Sequence, residues 1–329
     1  MKHANISIFV PHLGCPNKCS FCNQCHITGK VSQPSDLEVD FAVNEAVKSK
    51  NYSRQNTEIA FFGGSFTAIE KDYMLTLLSA AYKYVENGTV KGIRISTRPD
   101  CINEEILETL KSYGVTAIEL GAQSMVDQVL KLNDRGHTAN DVITASNLIK
   151  EYGFELGLQM MTGLYGDNDE GSIYTAKQLI ALKPATVRIY PTIVLKNTRL
   201  ENLYINGLYK PQTVDEAANL CSSLVDMFEE KGIKVIRLGL HTIDADSYVA
   251  GPWHAAFGEV CESVKYYKLI QKCLTKKGTY NLFVKDTQIS KVIGQSKSNI
   301  KKFKNLGFDI KIFGDKSLKD YEIKVREVE

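Results

Sequence analysis

Short runs of apolar, β-branched and aromatic residues alternate with longer segments whose apolar positions recur at helical spacing. The short runs are NISIFVP (5–11), TEIAFFG (57–63), GIRIST (92–97), VTAIELG (115–121), FELGLQMM (154–161) and TVRIYPT (186–192). Their length and residue types predict buried strands. Between them lie DLEVDFAVNEAVKSK, KDYMLTLLSAAYKYVENG, NEEILETLKSYG and ANDVITASNLIKEYG, which predict helices. Several of these close on glycine, at Gly88, Gly114 and Gly153, as a helix C-terminus prefers. Strands alternating with helices predict an α/β fold with a parallel sheet and helices outside. Six such units suit a partial (β/α)6 barrel, with function at the C-terminal ends of its strands.

After EEKGIKVIRLGL (229–240) the rhythm changes. HTIDADSYVAGPWHAAFG precedes a helix expected near residues 259–276. Then TYNLFVKDTQISKVIGQSKSNIKKFKNLGFDIKIFGDKSLKDYEIKV reads as β-α-turn-α-β-β, a small α+β unit. The expected organisation is a barrel over 1–250, a linker and helix over 251–278 and a small domain over 279–329. No internal repeat or low-complexity tract interrupts this division.

Composition adds bounds. With 43% hydrophobic and 24% charged residues the chain can bury a sizeable core. No run of about 18 apolar residues exists, so no membrane span is expected. The start, MKHANISIFVPHLG, makes a poor signal peptide, so a reducing, cytoplasmic setting is expected. The net charge of +2 conceals an asymmetry. From Lys265 onward there are 16 Lys and Arg against 7 Asp and Glu, while the remainder has 24 against 31. An acidic body thus carries a basic tail, either a solvated surface or a seat for a polyanion.

Four of the eight cysteines crowd into GCPNKCSFCNQC (14–25): Cys15, Cys19, Cys22 and Cys25. In a reducing compartment such a cluster favours metal or catalysis over disulfides. A zinc loop completed by Cys25 is one reading. Three thiolates holding three irons of a [4Fe–4S] cluster, with the fourth iron open, is another. The CxxxCxxC spacing of Cys15, Cys19 and Cys22 directly after a first strand resembles the radical S-adenosylmethionine (SAM) superfamily. Phe21, just before the third cysteine, fits the aromatic common there.

That resemblance implies two cofactors, a [4Fe–4S] cluster and SAM. It also implies cleavage of SAM to a 5′-deoxyadenosyl radical and an electron donor such as a flavodoxin or ferredoxin. Further strings fall where it places cofactor contacts. FFGGSFT supplies Gly63, Gly64 and Ser65 after the second strand; ISTRPD supplies Ser96 and Thr97 after the third, with Arg98 beside them. ELGAQS brings Gln123 and Ser124, and Gln159 on the fifth strand is expected to face the adenosine. Arg135, in NDRGHT, matches the methionine carboxylate in charge and geometry. His137, Tyr190 and Cys25 are the candidate catalytic groups, beside plainer roles as loop histidine, packing aromatic and spectator thiol. Arg188 and Tyr190 share the end of the sixth strand in RIYPT.

ELGAQSMVDQVLKLNDRGHT, MMTGLYGD and RIYPTIVLKNTRLENLYINGLYKPQTVDEA resemble the radical domain of the Elongator catalytic subunit, over about residues 5–240. This implies a tRNA-modifying relative. That subunit has a wider first gap in its cysteine motif and continues into an acetyltransferase domain. The roughly 80 residues after Gly251 do not resemble that domain, which leaves carboxymethylation from acetyl-CoA without support.

The tail resembles a K-homology domain, which clamps nucleic acid between two helices at a GxxG loop. VIGQSKSNI places Gly294, Gln295, Ser296 and Lys297 at that loop, with lysine at the second glycine position. Lys291, Lys301 and Lys302 add charge nearby. The expected function is therefore a radical SAM enzyme that modifies RNA, most of all tRNA. The alternatives are a small-molecule radical enzyme resembling oxygen-independent coproporphyrinogen oxidases, a non-catalytic metal-containing RNA-binding protein, and a tail that only buttresses the barrel.

Overall fold

Period-two alternation along the inner strands of the large sheet decides what the sheet encloses. The computed structural model describes residues 3–11, 15, 18–23, 32–240, 243 and 245–328. In chain order the strands are β1 (Ala4–Val10), β2 (Thr57–Gly63), β3 (Gly92–Thr97), β4 (Val115–Gln123), β5 (Glu155–Thr162) and β6 (Thr186–Pro191). There follow β7 (Val194–Leu195), β8 (Lys234–Leu238), β9 (Tyr248–Ala250), β10 (Gly278–Val284), β11 (Phe308–Gly314) and β12 (Lys324–Val328). The large sheet is parallel, in the order β1-β2-β3-β4-β5-β6-β8. It is an open half-barrel: β1 and β8 are its two edges.

Seven strands stand where six were expected. The seventh, KVIRL, is only half-buried along its inner residues, as an edge strand is. Lys234 and Arg237 break its apolar run, so its pattern is weaker than those of the six inner strands.

One face of the sheet is apolar. Ile6, Ile8, Ile59, Phe61, Ile93, Ile95, Ile118, Leu158 and Ile189 point into the main core, beneath the flanking helices. Those helices begin as their sequences direct: Ser35 with Glu38, Thr138 with Asp141 and Thr213 with Glu216 each form a reciprocal capping box. The alternate residues, Ser7, Glu58, Arg94, Ser96, Glu119, Gln159 and Arg188 among them, line the concave face. A filled barrel would carry branched apolar side chains there. Here a cavity of about 1150 Å³ occupies the concavity.

Its charged wall is held by a buried network. Arg94, 4% exposed, reaches Glu58 at 3.0 Å, Glu119 at 3.4 Å and Glu155 at 2.8 Å. Arg188 grips Glu119 with both Nε (2.5 Å) and Nη2 (2.9 Å). Gly157 makes room for this clasp, because a methyl group there would lie 2.8 Å from Glu119 Cγ.

The tail has the expected β-α-turn-α-β-β order, with β10 central, parallel to β11 and antiparallel to β12. The helix Phe257–Cys273 serves two cores. Phe257, Cys261 and Val264 enter the main one; Tyr266 and Ile270 join Tyr280, Leu282, Val292 and Phe303 beneath the small sheet. That helix lies close to the expected 259–276. Among the described residues no helix is long and apolar enough to cross a membrane.

Glu119 is 1% exposed and shared by two guanidiniums. Glu119→Ala should therefore lower unfolding stability by about 3 kcal/mol or more, because Arg188 would be left without its carboxylate partner. Urea denaturation measures this; a loss below about 1 kcal/mol would contradict the network's role.

Candidate active site

The loop after β1 carries the cysteines, and the segment after β4 seats it. Ser20 donates its backbone N–H to Asn133 O (3.1 Å) and its hydroxyl to Asn133 Oδ1 (2.8 Å). Asn133 is fully buried and donates in turn to the carbonyls of Val129 and Tyr165. Leu200 N–H donates to Ser20 O from the far side (2.8 Å). Asn133 is not among the residues the sequence singles out; its one signal is its place in NDRGHT, two positions before Arg135.

Cys15, Cys19 and Cys22 line one cavity of about 560 Å³, with Gly63, Gly64, Ser65, Ser96, Thr97, Gln123, Arg135 and Gln159. The structure thus brings together the three cysteines and all the expected cofactor contacts, Phe21 included. Cys25 lies outside the described residues. Among the described residues no three His, Cys, Asp or Glu side chains converge on a point that a single ion could fill.

The thiols sit in a costly place for negative charge. Burial raises the Cys15 thiol above its usual range. Burial, then the neighbouring Cys19 and Cys15 sulfurs, push Cys22 up to about 12. Three thiolates here need a multiply charged cation to offset them. One guanidinium already helps: Arg135 Nη1 lies 3.2 Å from Cys19 Sγ, while Nη2 donates to Gly121 O at 2.6 Å. Only Arg135 Nε is left unpartnered. Gln123 Oε1 and Arg98 Nη1 are likewise buried without a partner on the cavity wall. Such orphans cost free energy unless a polar ligand meets them. The donor set therefore fits an iron–sulfur cluster beside a zwitterionic ligand.

Backbone geometry supports close approach. Gly63 has φ +121°, and a Cβ there would meet Val10 O at 2.6 Å. Gly64 N–H donates to that same carbonyl (2.9 Å), tying the end of β2 to the root of the cysteine loop. Gln123 ends β4 with φ 65°, which turns its amide into the cavity. Thr97 shares its hydroxyl with Ser65 (2.8 Å) and Thr67 (2.6 Å), so it braces the strand ends. Arg98 holds the carboxylate of Asp100 with Nε and Nη2, each at 2.9 Å.

Gln159 Nε2 bridges Glu119 (3.1 Å) and Ser96 (3.4 Å). Together with Ser96 and Gly63 it borders both the smaller and the larger cavity. The cysteine site and the charged concavity are thus adjoining chambers. Tyr190 lines the larger one beside Arg188. Burial keeps its phenol above the usual range, although Arg188 and Arg237 draw it down. His137 lines neither chamber: it is buried against β4, with Nε2 3.2 Å from Ala122 O.

In the tail, Gly294 (φ 76°), Ser296 (φ 51°) and Lys297 (φ 61°) form a left-handed turn between the helices Ile289–Ile293 and Ser298–Asn305. Gln295, Lys297 and Lys301 are exposed. Two other expected RNA contacts are engaged elsewhere: Lys291 pairs with Glu262, and Lys302 with Asp215 at 3.5 Å.

A model of the radical SAM superfamily matches residues 9–179, just over half of the chain, and a radical SAM C-terminal domain matches 184–267. An uncharacterized protein of Methanocaldococcus jannaschii is 29% identical over 81% of this chain and 83% of its own length. A tRNA uridine(34) acetyltransferase of Dehalococcoides mccartyi is 25% identical over 63% of this chain and 52% of its own. Human Elongator complex protein 3 is 29% identical over 55% and 37%. The chain thus spans about half or less of the length of these two named relatives. The archaeal Methanocaldococcus infernus Elp3 with an N-terminal deletion shares the fold, with TM-score 0.66 and 22% identity over 84% of this chain and 65% of that one.

Burial, and then the Arg135 charge, depress His137 to about 4, so the ring is neutral near pH 7. The unfolded chain binds this proton from about pH 6.5 downward, so native stability falls between there and about pH 4. The loss attributable to this ring is about 3 kcal/mol. His137→Gln should flatten the pH dependence of the unfolding midpoint in that window; an unchanged profile would contradict the burial argument.

Proposed function

Because the chain belongs to the radical SAM superfamily, whose members use a [4Fe–4S] cluster and SAM, we propose that it is an enzyme that modifies RNA, tRNA above all. The observation that carries this reading is the adjoining pair of chambers, joined at Gly63, Ser96 and Gln159. One holds the residues a cluster and SAM need; the other is open, carries Arg94, Arg188 and Arg237 on a partly apolar wall, and is large enough for a nucleotide.

In this reading Cys15, Cys19 and Cys22 hold the cluster, and Arg135 offsets the negative charge at Cys19. When bound, the cofactor pair supplies one-electron cleavage of SAM and hence a hydrogen-abstracting radical. The chain's residues bind, orient and shield. The Gly63–Gly64 backbone allows an amino group close approach, and the unpartnered Gln123 Oε1 and Arg135 Nε meet polar groups of SAM. Ser96 and Gln159 face it from β3 and β5. Tyr190, protonated because it is buried, lines the larger chamber, where its Oη would donate to a bound substrate. His137, neutral and outside both chambers, positions the β4 end through Ala122.

RNA docks on the tail in the K-homology manner. Within the left-handed turn at 294–297 the expected contact Gly294 is buried, while Gln295, Ser296 and Lys297 are exposed, with Lys301 exposed beside them. Positive charge at a helix N-terminus favours phosphate. The named relatives, tRNA uridine(34) acetyltransferases and Elongator complex protein 3, support RNA as the substrate class. Acetyl transfer is not part of the proposal, because the matched region covers only about half or less of those proteins.

Two measurements test this. Cys19→Ala should abolish bound iron and 5′-deoxyadenosine formation while leaving the fold intact; retained iron would reject the ligand assignment. Changing Lys297 and Lys301 together to Glu should weaken tRNA binding and lower the slope of log K against log salt by roughly 1.4, at about 0.7 for each phosphate no longer neutralised. Unaltered affinity and slope would reject docking on the tail.

A further inference from the structure

A second guanidinium stands beside Arg188 with no acid among the described residues to balance it. Arg188 on β6 and Arg237 on β8 are register partners, so the two side chains lie side by side on the concave wall. Like charges placed in register repel. Arg188 is compensated, with both Nε and Nη2 on Glu119 and its guanidinium 5.0 Å from the centre of the Phe62 ring. Arg237 is not. Its Nε donates to Gly239 O (3.0 Å), and among the described residues it pairs with no carboxylate. Burial, and then Arg188, draw its pKa down, as expected for a cation lacking a counter-ion.

We propose that Arg237, with Arg188 and Tyr190 beside it, forms an anion subsite in the larger chamber that takes a phosphate of the substrate nucleotide. Its guanidinium retains two Nη groups, a planar fork that matches a phosphate's oxygens. Tyr190 adds a hydroxyl donor on the neighbouring strand. The exposed Lys91 and Lys234 on the same cavity rim favour entry of an anion. The subsite adjoins the SAM chamber, so a phosphate held there sets a nucleotide at the boundary marked by Gln159. The identity of the anion as phosphate rests on the RNA reading; the uncompensated Arg237 does not.

The test compares uridine with uridine 5′-monophosphate by calorimetric titration of the cluster-loaded protein, using wild type, Arg237→Gln and Arg237→Lys. Wild type should bind the monophosphate about tenfold more tightly than uridine. Arg237→Gln should erase that preference, and Arg237→Lys should keep part of it. A short single-stranded RNA forms a second arm. Weakening of both ligands by Arg237→Gln assigns the phosphate to the RNA strand, and weakening of the mononucleotide alone assigns it to a small phosphorylated substrate. No preference in wild type, or a preference that survives in an Arg237→Gln protein with a wild-type unfolding midpoint, overturns the subsite. If the Lys297, Lys301 double Glu variant keeps full tRNA affinity while Arg237→Gln loses the monophosphate preference, docking on the tail fails and the subsite stands.

Discussion

The carboxylate of Glu119, clasped by Arg94 on one side and Arg188 on the other, makes this sheet a container. A buried charge is tolerated only when paired and hydrogen-bonded. Here three strands contribute to one clasp, and Gln159 from a fourth adds a hydrogen bond. Because polar groups satisfy one another on the concave face, that face need not be filled by apolar side chains. A parallel sheet normally hides both faces beneath apolar residues. This one keeps a single apolar face, under its helices, and leaves the other open for chemistry.

The remaining features follow from where that opening meets the strand ends. Gly63, Gln123 and Thr97 terminate β2, β4 and β3 around the cysteine cavity. Asn133 and Arg135 then hold the cysteine loop over it, one by hydrogen bonds to Ser20 and the other by a contact with Cys19. A segment distant in sequence thus fixes the loop that carries the thiols. The tail attaches through one long helix that feeds both cores, and through charged contacts such as Lys302 with Asp215.

Much of this is legible in the chain, for identifiable reasons. The strand GIRIST is legible to its observed ends, because Ile93 and Ile95 alternate cleanly and glycine precedes them. The cysteine trio and the Gly63–Gly64 pair are legible because they are local strings at strand ends. β8 is not, since an edge strand bearing Lys234 and Arg237 has no clean period. Nor is the Arg94–Glu119–Arg188 clasp: the charges are visible within expected strands, but which ones face each other depends on register. His137 looks catalytic beside Arg135, yet it is buried against the Ala122 carbonyl of β4 and lines neither chamber. Lys291 and Lys302 look free in the sequence, but their acid partners come from other helices.

The account's central claim is that the two adjoining chambers act together on RNA. The most direct measurement is nucleoside mass spectrometry of total tRNA and rRNA from a strain lacking the protein, complemented with wild type or with Cys19→Ala. The account predicts that one modified tRNA nucleoside disappears and that only wild type restores it. A profile unchanged in both RNA classes, or restored equally by the cysteine variant, would contradict it.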